Sequence, residues 1–219
     1  AAGHRHGPAP APQPAAVGDD GLHHVLQRAD AARGPLVGGF FLGSFALQHA
    51  HHYSALRVGL AFLPVTVATV AGAQAGTQAL TRVNAKIVAV TGLALAAAGY
   101  AIAAHRTQPA EIVTGLSIAT LGIGATFVTA FTASLSDAGP AEAGLRSALV
   151  NTFHELGGAA GVAVLSSAAG AGLVAAHLAS RDFAHAFAVG AIGAAVSLAI
   201  AAALVPAVLR KPASDTAPA

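Results

Sequence analysis

The chain has 219 residues, of which 55% are hydrophobic and only 9% charged, with a formal net charge of +2 at pH 7. Ordinary soluble domains carry about a quarter charged residues, so this composition argues against a soluble domain with a charged surface. It has no Cys, which excludes disulfides, thiol catalysis and Cys-ligated metals.

Residues 1–34 are rich in Ala, Pro, His and Gly and read as a disordered tail. Between successive charged residues the chain then shows uncharged runs at 34–56, 58–81, 87–105, 112–136, 156–180 and 183–209, each 19 residues or longer. A bilayer core about 30 Å thick takes roughly 20 apolar residues of helix. The runs lack the polar outer face at a period of 3.6 that a soluble helical bundle needs. They predict an all-α integral membrane six-helix bundle over 35–210, embedded in a lipid bilayer, with spans at about 35–51, 55–79, 86–104, 110–135, 144–169 and 184–209. A short tail, 211–219, closes the chain.

Much of the apolar content is Ala and Gly, so close helix packing is expected to compensate for weak individual spans. Gly39/Gly43, Gly72/Gly76 and Gly157/Gly161, with Gly158 beside the last pair, have the small-xxx-small spacing that lets helices approach in lipid. With the N-terminus placed inside, the inner segments hold Arg5, Arg28, Arg33, Arg82, Lys86, Arg146, Arg210 and Lys211, against Arg57, Arg106 and Arg181 outside. That bias predicts a multi-pass protein of the cell membrane with both termini cytoplasmic. The basic residues are then juxtamembrane anchors, and no nucleic-acid partner is implied.

Motifs for chemistry are sparse. His154-Glu155 begins like the H-E-x-x-H zinc motif, but position 158 is Gly158, so the motif fails. His49, His51 and His52 sit at a helix end with no nearby carboxylate or Cys, and read as surface histidines. No Walker-type phosphate loop occurs, no cofactor or metal is implied, and the chain is not expected to be an enzyme. At helical spacing Asn151, His154, Glu155 and Gly158 share one face, which should point into the bundle. A carboxylate there must pair, be protonated or line a watery cavity. It serves either as a contact for protons or substrate or as a helix-helix hydrogen-bond anchor.

Two stretches carry a family resemblance. Residues 138–165, through Pro140, Glu142, Ala143, Gly144, Ser147, Asn151, Gly157, Gly158, Gly161 and Ala163, and residues 47–86, through Leu47, Gln48, Tyr53, Ser54, Leu56, Gly59, Phe62, Leu63 and Pro64, resemble 14-helix drug:proton antiporters of the major facilitator superfamily, the EmrB/QacA type. The resemblance implies that the spans are the last six of fourteen, half of a major facilitator fold built as two inverted three-helix repeats. It implies transmembrane transport by multidrug efflux, with protons and a small hydrophobic or cationic substrate as partners. Gln48, Asn151, His154 and Glu155 become candidates for the substrate and proton cavity. Gly76, Arg82, Lys86 and Arg146 become candidates for a cytoplasmic gate or anchor. Asn84 stands where the family prefers Gly, and His154 and Glu155 where it more often has Arg and Gln. The absence of any Met and the short first span point to a fragment that needs a separate N-terminal transporter half. The alternative is a fragment or interaction scaffold that transports nothing.

Overall fold

The structure, a computed structural model, describes residues 37–105, 108–136, 139–168 and 180–204. The expected tails at 1–34 and 211–219, the start of the first span and the end of the last one lie outside the described residues. Among those described there is no strand. The helices are α1 (37–49), α2 (Ala55–Ala61), α3 (Leu63–Leu80), α4 (Ala85–His105), α5 (Pro109–Leu135), α6 (Pro140–Ala168) and α7 (Ser180–Leu204). Five stretches are long and apolar enough to cross a membrane, the first of them made of α2 and α3 together.

Local chemistry sets the helix ends. Ser54 caps α2 by accepting from the Arg57 N–H. The α2–α3 break follows from Pro64, which lacks an N–H and whose ring crowds the carbonyl one turn back. Asn84 starts α4: its carbonyl accepts from the N–H groups of Ile87 and Val88, and its side-chain oxygen from the Lys86 N–H at 2.9 Å. Pro109 opens α5, where a missing N–H removes no helical bond. Between α1 and α2 the chain turns through His52, which has a left-handed φ of 54°.

The core lies where α1, α3, α4, α5 and α7 meet, with Leu42, Leu47, Val65, Tyr100, Leu116, Ile123 and Phe187 almost wholly buried. Close approach of backbones builds it. A Cβ on Gly72 would strike the backbone of Leu121, and one on Gly76 would come within 2.8 Å of the Ala125 Cα, so α3 lies directly on α5. On the other side of α5, a Cβ on Gly99 would come within 2.8 Å of the Ala119 Cα, so α4 lies equally close. Thr120 fastens α5 to α3 by donating its hydroxyl to the Val65 carbonyl at 3.1 Å.

Gly39 and Gly43 are used differently from the backbone contact their spacing predicts. Gly39 makes room for the Tyr100 hydroxyl, and a Cβ on Gly43 would come within 2.6 Å of the Leu116 side chain and 3.1 Å of the Phe62 ring. Bulky side chains from three other elements converge on α1 there, and each fills the space a small residue leaves.

Candidate functional site

α6 carries one amide and two ionisable side chains, Asn151, His154 and Glu155, near its middle. Its 29 residues centre on His154, so His154 and Glu155 lie about 21 Å from either helix end. The face predicted to be uniform is divided. His154 and Gly158 are buried, whereas Asn151 and Glu155 are exposed on the outer surface of the bundle. The four residues cover an arc of about 100°, and the edge of the packed surface runs through it. α6 meets the bundle along Val150, His154, Gly158 and Leu165, all buried, and its Gly161 carbonyl and Leu165 side chain lie over Gly38 of α1. Asn151 and Glu155 fall just outside that line of contact.

His154 is 7% exposed, with its ring 4.8 Å from that of Phe127 on α5. Phe127 in turn lies 4.6 Å from Phe131, and a small apolar cluster of Ala130 and Val150 flanked by Phe131, Leu149 and Phe153 surrounds the pair. Among the described residues, the His154 Nδ1 is buried without a hydrogen-bond partner. On the facing stretch of α5 the hydroxyls of Thr126, Thr129 and Ser134 donate to carbonyls of their own helix.

The outer surfaces of the helices differ in kind. On α4 the exposed stripe is Ile87, Thr91, Leu95, Ala98 and Ile102, and on α7 it includes Ile192, Val196 and Ile200. Both are surfaces that acyl chains can cover. The exposed surface of α6 is mixed: it carries Ser147, Asn151, Thr152 and Glu155 along with Leu145, Leu156 and Val164. An ionisable or amide side chain at mid-depth facing hydrocarbon costs several kcal/mol.

The remaining sequence-predicted residues lie elsewhere. Gln48 is half-buried near the end of α1 and donates its amide to the Ser44 hydroxyl at 2.9 Å. Gly76 is buried within α3 against α5, Arg82 is exposed in the α3–α4 turn, and Lys86 is half-buried in the first turn of α4. Arg146 pairs with Glu142 at 2.9 Å, one turn back on α6, and reaches toward the Ser134 carbonyl at 3.5 Å. It thus ties the start of α6 to the end of α5. Gly157 and Gly161 are half-buried. No group of three or more His, Cys, Asp or Glu able to hold a metal occurs among the described residues. The ring of Phe127 against His154 is a feature of the site that sequence spacing did not reveal, because the two residues sit on different helices.

No protein-family model matches the chain. It is similar to a puromycin resistance protein of Streptomyces alboniger, with 32% identity over 158 residues that make up 67% of this chain and 30% of that protein. It is also similar to a cephamycin export protein of Amycolatopsis lactamdurans, with 31% identity over 138 residues, 61% of this chain and 28% of that protein. The chain spans less than a third of the length of either curated relative. Together with the five apolar helices of membrane length, this similarity to parts of a resistance protein and an export protein describes a multi-pass membrane protein.

Proposed function

We propose that this chain is the C-terminal six-helix bundle of a proton-coupled multidrug efflux antiporter of the major facilitator superfamily, set in the cell membrane with both termini cytoplasmic. It takes no catalytic part and makes or breaks no covalent bond. The observation that carries the reading is the exposure of Asn151 and Glu155 at the middle of a membrane-length helix. Lipid is a costly neighbour for that face, and a second helical bundle enclosing a water-filled path is a suitable one.

In this reading the N-terminal half of the transporter supplies the other wall, and the two halves rock about a midplane site. Glu155 attracts a hydrophobic cation or holds a proton, in exchange for one another, while Asn151 one turn away offers both hydrogen-bond donors and acceptors. His154 sits behind them, against Phe127, where a movement of α6 relative to α5 would bring its ring nitrogen into the same path. Arg82 and Lys86, at the α3–α4 turn, and Arg146, at the start of α6, hold the cytoplasmic ends. The names of the relatives, one a resistance protein and one an exporter, support outward transport of small molecules.

The test is efflux of a cationic dye from vesicles driven by a proton gradient, using this chain joined to the N-terminal bundle of a related transporter. Efflux that collapses when the gradient is discharged, and that falls with a flattened pH profile in Glu155→Gln, is the expected result. Full pH-dependent efflux in Glu155→Gln would remove Glu155 from the mechanism, and no efflux from the joined protein would refute the transport reading.

A further inference from the structure

A cleft of about 530 Å³ opens between the end of α4 and the start of α5, lined by Ala101, Ile102, His105, Ala110, Glu111 and Thr114. α4 has 21 residues and is therefore about 31 Å long, close to the thickness of the hydrocarbon core, which puts its last turn at the membrane-water boundary. We propose that this cleft seats the headgroup of a phospholipid that carries a primary ammonium group. The proposal stands apart from the transport reading, since it requires only that α4 and α5 cross a bilayer.

Three features select that occupant. The first is charge. Glu111, in the first turn of α5, brings a carboxylate to the cleft, and a carboxylate offers about four acceptor positions, enough to serve an ammonium besides its existing contacts. The last turn of α4 presents carbonyls that have no donor within the helix; its negative dipole end faces the positive end at the start of α5, so the dipoles offset and the carboxylate sets the charge preference. The second is hydrogen-bonding sense. Thr114 already donates its hydroxyl to the Ala110 carbonyl at 2.7 Å, so toward the cleft its oxygen acts as an acceptor. A primary ammonium has three N–H donors to meet these acceptors, whereas a trimethylammonium has none.

The third is continuity with an apolar track. Ile102 lines the cleft and also ends the exposed stripe Ile87, Thr91, Leu95, Ala98 and Ile102, which follows one face of α4. The Thr91 hydroxyl is turned back to the Ile87 carbonyl at 2.7 Å, leaving its methyl group on the outer surface. An acyl chain can lie along this stripe while the headgroup occupies the cleft. A soluble amine would use the polar end alone and leave the track uncovered.

The experiment is native mass spectrometry of the full 219-residue chain released from micelles that contain equal amounts of diacyl phosphatidylethanolamine and diacyl phosphatidylcholine. The expected result is retention of the ethanolamine lipid over the choline lipid by about tenfold, the scale of a hydrogen bond to a charged group. Glu111→Gln should abolish the preference, and Glu111→Asp should keep part of it. Because Glu111 also supports the start of α5, Ala110→Phe provides a second test: it fills the cleft without changing charge and should lower retention while helicity by circular dichroism stays constant. Equal retention of the two lipids, or an unchanged preference in both Glu111→Gln and Ala110→Phe, would overturn the proposal. Displacement of the lipid by an equal concentration of soluble glycerophosphoethanolamine would overturn it as well, by showing a site for a free solute.

Discussion

Gly72→Ala is the substitution whose effect the packing defines most sharply. A Cβ at Gly72 would strike the carbonyl of Leu121 and approach its carbonyl carbon at 2.7 Å and its Cα at 2.9 Å. These are backbone atoms of α5, held in the helical ladder, so they cannot turn aside as a side chain could. α3 and α5 must separate instead, and the neighbouring contact of Gly76 with Ala125 must open with them. Overpacking of this kind costs about 1 to 3 kcal/mol, and a backbone obstacle places it at the upper end. Ala gains about 1 kcal/mol over Gly in helix propensity, which leaves a net loss of about 2 kcal/mol. Gly193→Ala is the matched control, because a Cβ there meets nothing within 4 Å, and it should gain up to about 1 kcal/mol. Denaturant titration of the two variants in micelles, followed by circular dichroism, should separate them by about 3 kcal/mol. A Gly72→Ala variant as stable as the parent chain would refute the direct contact of α3 with α5.

Thr120→Val removes the hydroxyl that crosses from α5 to the Val65 carbonyl at nearly constant volume. It should cost about 0.6 kcal/mol in the same titration, the usual worth of such a bond in a membrane, since the Thr69 hydroxyl still serves that carbonyl at 2.9 Å. His154→Phe keeps a ring beside Phe127 and removes the buried nitrogen that lacks a partner among the described residues. It should raise stability by about 1 kcal/mol, within the range by which leaving a buried polar group unsatisfied destabilises a protein, and a loss of that size would show that the nitrogen is satisfied. Together with a fall in proton-driven efflux, the stability gain would separate a functional role for His154 from a structural one.

Much of the architecture was legible in the spacing of charges. The predicted spans 55–79, 86–104 and 110–135 match Ala55–Leu80, Ala85–His105 and Pro109–Leu135. The later starts misjudged where the helices begin. α6 starts at Pro140 and α7 at Ser180, with Glu142 and Asp182 in their first turns, whereas the expected spans at 144–169 and 184–209 leave those residues outside. Acidic groups there complement the positive end of the helix dipole, so the helix extends beyond its uncharged run. The interruption at Phe62 was present in the sequence as Pro64, inside a run long enough to read as one span.

The candidate site was legible as a position and not as an orientation. Charge scarcity singled out His154 and Glu155, and helical spacing grouped them with Asn151 and Gly158. Spacing alone cannot say where the edge of contact falls on an arc of about 100°. That edge is set by Gly38 of α1 and Phe127 of α5, which receive Leu165 and His154 respectively, and neither partner is a neighbour in sequence. Spacing also could not separate the two uses of small residues: Gly72 and Gly76 admit a backbone, Gly39 and Gly43 admit side chains, and the difference lies in what faces them.

The central claim is that the outer face of α6 lines water and the outer faces of α4 and α7 meet lipid. The chain has no Cys, so single cysteines can be introduced on a clean background. The most direct measurement is the rate at which a charged, membrane-impermeant thiol reagent modifies Asn151→Cys, compared with Leu95→Cys and Val196→Cys, in membranes containing this chain joined to an N-terminal bundle. The account predicts rapid modification at position 151, slowed by a bound cationic substrate, and none at 95 or 196. Protection of position 151 equal to that of the other two, with and without substrate, would place this face against lipid or protein and contradict the account.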